Sequence, residues 1–166
     1  KEVVLLDIKE GLAEGKALDI WQTSAIEYFN TRVVGSTNDY SLTKDSDIIV
    51  ITSGIPRKPG MSRDDLISIN AKIVCEVTKK SITESPNAII IVVSNPLDVM
   101  TYAAFKTAGI DSSKVMGMAG ILDTARYRAF LANEMGTSPK DIKALLMGGH
   151  GDTMVPLPRF TKVNGI

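Results

Sequence analysis

Short, almost wholly apolar runs of strand length recur along the chain, each separated from the next by a stretch long enough for a helix. Residues 3–8 (Val-Val-Leu-Leu-Asp-Ile), 47–52 (Asp-Ile-Ile-Val-Ile-Thr) and 88–93 (Ala-Ile-Ile-Ile-Val-Val) are the clearest. A strand covered on both faces needs apolar side chains on both, so continuous runs mark buried parallel strands. Residues 32–36, 114–118 and 143–147 are shorter strand candidates. Between these runs the period changes. Leu12, Ala13, Ala17, Ile20 and Trp21 recur at helical spacing within residues 10–26, and residues 64–83, 97–107 and 121–135 read as further helices. Parallel strands need crossovers of a dozen residues or more, and this alternation supplies them. The expected fold is therefore α/β, a doubly wound parallel sheet with helices on both faces.

Composition narrows what such a chain can do. Nineteen basic residues balance nineteen acidic ones, so no net positive field favours nucleic acid or an anionic membrane surface. No apolar run approaches the twenty or so residues of a membrane span. The single cysteine, Cys75, falls in a helical pattern and reads as packing, and it leaves no Cys-based metal set; no metal is expected.

Asp7 ends the first apolar run. In a dinucleotide-binding (Rossmann) half, a carboxylate at this place follows a glycine-rich phosphate loop by about twenty residues and accepts from the adenosine ribose hydroxyls. The G-x-G-x-x-G loop itself is absent here, as is any G-x-x-x-x-G-K-[ST] phosphate loop. Residues 3–8 then read as the second strand of a Rossmann half whose first strand and loop are missing. A solvated strand-end carboxylate is the equal alternative.

His150 is the only histidine, and imidazole is the side chain that exchanges protons near neutrality. It lies in Gly148-Gly149-His150-Gly151-Asp152, where glycines allow close backbone approach to a ligand. Such a base needs an orienting acid from another element. Asp123, in Gly120-Ile-Leu-Asp-Thr-Ala-Arg126, fits that role, and Arg126 shares its helix face three residues on. Arg57 and Arg63 flank a Pro/Gly-rich segment of the kind that closes over active sites, and guanidinium groups pair with carboxylates in bidentate fashion. Asn95 follows the apolar run 88–93, at the strand end where open parallel sheets bind ligands. Each residue also has a plain structural reading: a helix-end charge, a solvated basic loop, an Asn-Pro turn. Together they suit proton transfer on a small carboxylated substrate.

Four segments carry a resemblance: Gly54-Ile-Pro-Arg-Lys-Pro-Gly-Met-Ser-Arg63, Val93-Ser-Asn-Pro-Leu-Asp98, Gly120–Arg126 and Gly148–Asp152. The chain resembles the lactate/malate dehydrogenase family over essentially its whole length, most closely the bacterial malate dehydrogenases that are near to lactate dehydrogenases. The resemblance implies an NAD-dependent oxidoreductase of malate and oxaloacetate. The alternatives are another 2-hydroxy-acid dehydrogenase of the lactate type, or an inactive fragment that serves only as a binding or assembly module. By the resemblance, His150 exchanges the substrate proton and Asp123 holds its tautomer. Arg126 grips the carboxylate beside the reacting carbon, Arg63 polarises the carbonyl, and Asn95 binds near the reacting oxygen. Asp7, Asn70 and the backbone of Val93, Ser94 and Asn95 contact NAD. Arg57 stands where lactate enzymes carry glutamine, which implies a second substrate carboxylate.

The resemblance also implies a cytoplasmic homodimer or homotetramer, with no nucleic-acid or membrane partner. Residues 1–119 would form an N-terminally incomplete NAD-binding domain, and residues 120–166 the start of an α+β substrate domain. Lys1 reads as mid-chain, and the expectation is a partial chain.

Overall fold

The computed structural model describes residues 1–166. Its elements run β1 (Glu2–Asp7), α1 (Leu12–Gln22), α2 (Ser24–Glu27), β2 (Arg32–Thr37), β3 (Ile48–Ile51), α3 (Arg63–Glu84), β4 (Ile89–Val92), α4 (Leu97–Ala108), β5 (Val115–Gly117) and α5 (Gly120–Met135). Four short strands follow: β6 (Ile142–Lys143), β7 (Leu146–Gly148), β8 (Met154–Pro156) and β9 (Lys162–Val163). The fold is α/β with parallel strands, which form a β1-β2 pair and a three-stranded set in the order β3-β4-β5. Two compact units result, residues 1–49 with 77–89 and residues 50–76 with 90–166.

In the first unit β1 and β2 pair in parallel, with Asp7 opposite Thr37. Helix α1 connects them and packs through small residues: Ala13 and Ala17 are buried, whereas Leu18, Ile20 and Trp21 stay exposed. The approach is very close. A Cβ on Gly35 would lie 2.3 Å from the Glu14 Cα, so only glycine leaves room for the helix backbone. The helix expected over residues 10–26 is in fact broken after Gln22. Thr23 Oγ1 donates to the Ile20 carbonyl (2.7 Å), a side-chain bond that competes with helix propagation.

In the second unit β4 and β5 are parallel, pairing Ile90 with Val115. Ile90 and Val92 are fully buried, as are Met100 and Ala104 of α4, and these form the core. The rest is antiparallel: β7 pairs with β8 and β6 with β9. The single strand expected over residues 143–147 is thus two, because Lys143 and Leu146 pair with different partners. Cys75 is half-buried on α3 rather than buried. No helix is long and apolar enough to cross a membrane.

Candidate active site

The α5 helix begins at Gly120, three residues after β5 ends at Gly117. Asp123 lies in its first turn, where the helix dipole favours a carboxylate, and its N–H donates to the Ala119 carbonyl (3.0 Å). Only 4% of Asp123 is exposed. From the other side, β7 delivers the chain through Gly148 and Gly149 to His150. Gly148 has φ +92°, and a Cβ there would meet the Thr153 carbonyl oxygen at 2.2 Å. The turn can fold back on itself only because that position is glycine.

This fold-back sets His150 Nδ1 at 2.8 Å from Asp123 Oδ2. A carboxylate acceptor at Nδ1 holds the ring proton there and leaves Nε2 to give or take a proton. Arg126 NH1 stands 3.5 Å from the other oxygen, Asp123 Oδ1, with its side chain 58% exposed. Three of the sequence candidates therefore form one contiguous group. Asp123 and His150 line a cavity of about 390 Å³ whose other walls include Leu97, Asp98 and Tyr102. Its lining mixes the titratable pair with apolar side chains such as Leu97, Phe105 and Met147, as small-molecule sites commonly do.

The β4–α4 turn is built differently. Val93 N–H donates to the Ile51 carbonyl (2.8 Å), and the buried Ser94 hydroxyl donates to the Ser53 carbonyl (2.6 Å). Asn70, 2% exposed on α3, spends its whole amide on backbone. Its Nδ2 donates to the carbonyls of Asn95 (2.8 Å) and Ile55 (3.2 Å), and its Oδ1 accepts from Ile55 N–H (2.8 Å). The Asn70 side chain is thus a clamp that ties the start of the arginine loop to the Asn95 turn.

Arg57 and Arg63 are exposed and joined to His150 by neither hydrogen bond nor ion pair. Arg57 Nε instead donates to the Met61 carbonyl within its own loop (3.2 Å). Arg63 opens α3 inside a capping box: Ser62 N–H and Oγ donate to Asp65 Oδ2 (3.1 and 2.6 Å), and Asp65 N–H donates to Ser62 Oγ (3.0 Å). The Ser62 hydroxyl, and then its N–H, hold the Asp65 carboxyl below the usual carboxylate range.

Asp7 lies in the other unit, half-buried at the end of β1. Its Oδ1 accepts from Lys9 N–H (2.8 Å), and Oδ2 lies outside that contact. Beside it, Gly11 N–H donates to Thr37 Oγ1 (3.2 Å), which donates to Glu14 Oε1 (2.8 Å). Glu14's own N–H, and then the Thr37 hydroxyl, hold that carboxyl below its usual range.

Reading by residue type overlooked the Ser62–Asp65 box, although S-x-x-D before a helix is its signature. It also overlooked Asp98, which lines the cavity and carries no local signal beyond its place in the first turn of α4.

Residues 1–117 match the NAD binding domain of lactate/malate dehydrogenases, and residues 121–166 match the alpha/beta C-terminal domain of the same enzymes. The chain belongs to the lactate/malate dehydrogenase family. Among its relatives, the malate dehydrogenase of Cytophaga hutchinsonii is 68% identical over 165 residues, covering 99% of this chain and 53% of the relative. The structure of malate dehydrogenase from Salinibacter ruber superposes with a TM-score of 0.90 at 55% identity, covering 100% of this chain and 52% of that one. The malate dehydrogenase of Plasmodium falciparum in complex with NADH gives 0.84 at 41% identity, covering 99% and 51%. The chain spans about half the length of the curated relatives it matches.

Proposed function

We propose that the intact protein interconverts (S)-malate and oxaloacetate with NAD, and that His150 exchanges the substrate proton. The observation that carries this reading is the 2.8 Å contact between His150 and the buried Asp123, with Arg126 alongside. An oriented imidazole next to a solvent-facing guanidinium suits a substrate with a reacting oxygen beside a carboxylate.

Asp7 fits a dinucleotide: with Oδ1 on Lys9, it keeps Oδ2 to accept from ribose hydroxyls. A negative strand end also disfavours a 2′-phosphate, which selects NAD over NADP. The backbone of Val93, Ser94 and Asn95 is the surface for the cofactor, and Asn70 serves it by holding that backbone through Asn95. Residues 1–119 form the NAD-binding part and residues 120–166 belong to the substrate part.

When bound, NADH supplies the hydride that reduces the substrate carbonyl carbon. His150 gives the Nε2 proton to the carbonyl oxygen, while Asp123 stabilises the imidazolium before that transfer. Arg126 binds the carboxylate beside the reacting carbon. Arg63 offsets the negative charge developing on the oxygen, with the Asn95 amide as a second partner. Arg57 pairs with the distal carboxylate when its loop closes. A methyl group in that place would leave the guanidinium desolvated and unpaired, a penalty of several kcal/mol. The enzyme is cytoplasmic, and the exposed Leu18, Ile20 and Trp21 on α1 suit a subunit contact in a homodimer or homotetramer.

The test is NADH oxidation by the intact protein, with oxaloacetate and pyruvate offered separately, before and after Arg57→Gln. Rapid turnover of oxaloacetate alone, with the preference falling in the variant, supports the reading. Equal or faster turnover of pyruvate by the unsubstituted protein refutes the assignment of Arg57.

A further inference from the structure

The β7 strand carries His150 into the site, yet only one of its edges is paired with a strand. Leu146 faces Pro156 in the β7–β8 register, and Leu157 N–H donates to the Leu145 carbonyl (3.1 Å). In an antiparallel pair, bonded positions alternate, so the backbone groups of Leu146 turn away from β8. That N–H is satisfied across the chain, by Thr124 Oγ1 on α5 at 3.2 Å. A single hydroxyl thus occupies the place of a neighbouring strand.

The location matters more than the bond itself. Thr124 directly follows Asp123, and Leu146 precedes His150 by four residues. The helix turn that presents the acid and the strand that presents the base are therefore tied twice, at Thr124–Leu146 and at Asp123–His150. The β7–β8 pairing holds the strand from its other edge, and Thr124–Leu146 is the side-chain tie between α5 and the β7 backbone ahead of the Gly148–Gly149 turn.

We propose that Thr124 is a positioning residue for the Asp123–His150 pair, acting through its hydroxyl on the Leu146 backbone. The proposal rests on the reading of His150 and Asp123 given above. Thr124→Val keeps the shape, removes the acceptor and strands the Leu146 N–H. The carboxylate–imidazole contact then relaxes, and small displacements of a catalytic group are costly in rate.

The experiment compares Thr124→Val, Thr124→Ala and Thr124→Ser in the intact protein, with His150→Asn as reference. It reads kcat, the KM for NADH, thermal stability and the downfield ring N–H resonance of His150, assigned by its loss in His150→Asn. The expected result is a kcat lower by roughly ten-fold in the valine and alanine variants, with the NADH KM unchanged. The ring resonance moves in both, and serine restores both signals. Valine or alanine with unchanged kcat and unchanged resonance overturns the proposal. So does serine behaving like valine, which would assign Thr124 to packing alone. Full turnover in His150→Asn would instead overturn the proposed function, while the ring resonance still reports on the tether.

Discussion

Replacing Asp123 by asparagine tests the proton-transfer reading most directly, because the change is isosteric and alters little besides charge. Asp123 is 4% exposed and meets His150 Nδ1 at 2.8 Å, so the amide would replace a carboxylate that is itself almost fully buried. A hydrogen bond to a charged group contributes about 1.5–3 kcal/mol, against about 0.5–1.5 kcal/mol between neutral groups. The charge-assisted part lost is thus about 1–2 kcal/mol. If the amide turns its NH₂ toward Nδ1, it also favours the wrong tautomer, and the loss approaches the full ~3 kcal/mol. At about 1.4 kcal/mol per decade, kcat for oxaloacetate reduction should fall between roughly five- and 150-fold.

The Arg126 contact adds almost nothing to this sum, since at 3.5 Å and 58% exposure it is a screened surface pair. The oxaloacetate KM, which the proposed function assigns to the arginines, should therefore change much less than kcat. Stopped-flow absorbance of NADH with the intact protein separates the two. A kcat within two-fold of the unsubstituted protein, with stability retained, would show that Asp123 does not support His150 in turnover.

Other consequences follow from packing and charge. Gly35→Ala would drive a Cβ to within 2.3 Å of the α1 backbone at Glu14, and should destabilise by ~3 kcal/mol in chemical denaturation, the upper end of overpacking. Thr78→Val should stabilise by ~1 kcal/mol in the same assay, because the Thr78 hydroxyl is fully buried without a hydrogen-bond partner. Asp39, Asp65 and Asp111 accept from Ser41, Ser62 and Ser113, bonds that hold all three carboxyls below their usual range. Their contribution is present above the ordinary aspartate range and is lost as pH falls through the lowered values, because the unfolded chain takes up the proton first. Hydrogen-exchange protection around Ser62, taken relative to the intrinsic rate at each pH, should accordingly fall on acidification, and Asp65→Asn should remove that pH dependence.

Much of the fold was legible because the signals are local. Continuous apolar runs marked β1, β3 and β4, although Val3, Ile48 and Val50 stay exposed, so the runs located the strands without both faces being covered. Helical spacing marked α3, α4 and α5 to within a residue or two at each end. The failures lie where a local pattern met a specific partner. Thr23 ended α1 by bonding Ile20, and residues 142–148 divided between two hairpin partners. Neither event has a periodicity.

Residue chemistry alone was enough to single out His150, Asp123, Arg126, Arg57 and Arg63, because few side chains exchange protons near neutrality or bind carboxylates well. It also marked Asp7 from its place at a strand end. Tertiary structure decided which of these meet. Asp123 and His150 are 27 residues apart, and only the docking of α5 on β7 closes that distance to 2.8 Å. The same packing turned Asn70 into a backbone clamp and gave the Thr124 hydroxyl to Leu146. The physical reason is range. Propensity and periodicity act over one or two turns of chain, whereas a buried hydrogen bond is set by whichever backbone the fold brings within about 3 Å.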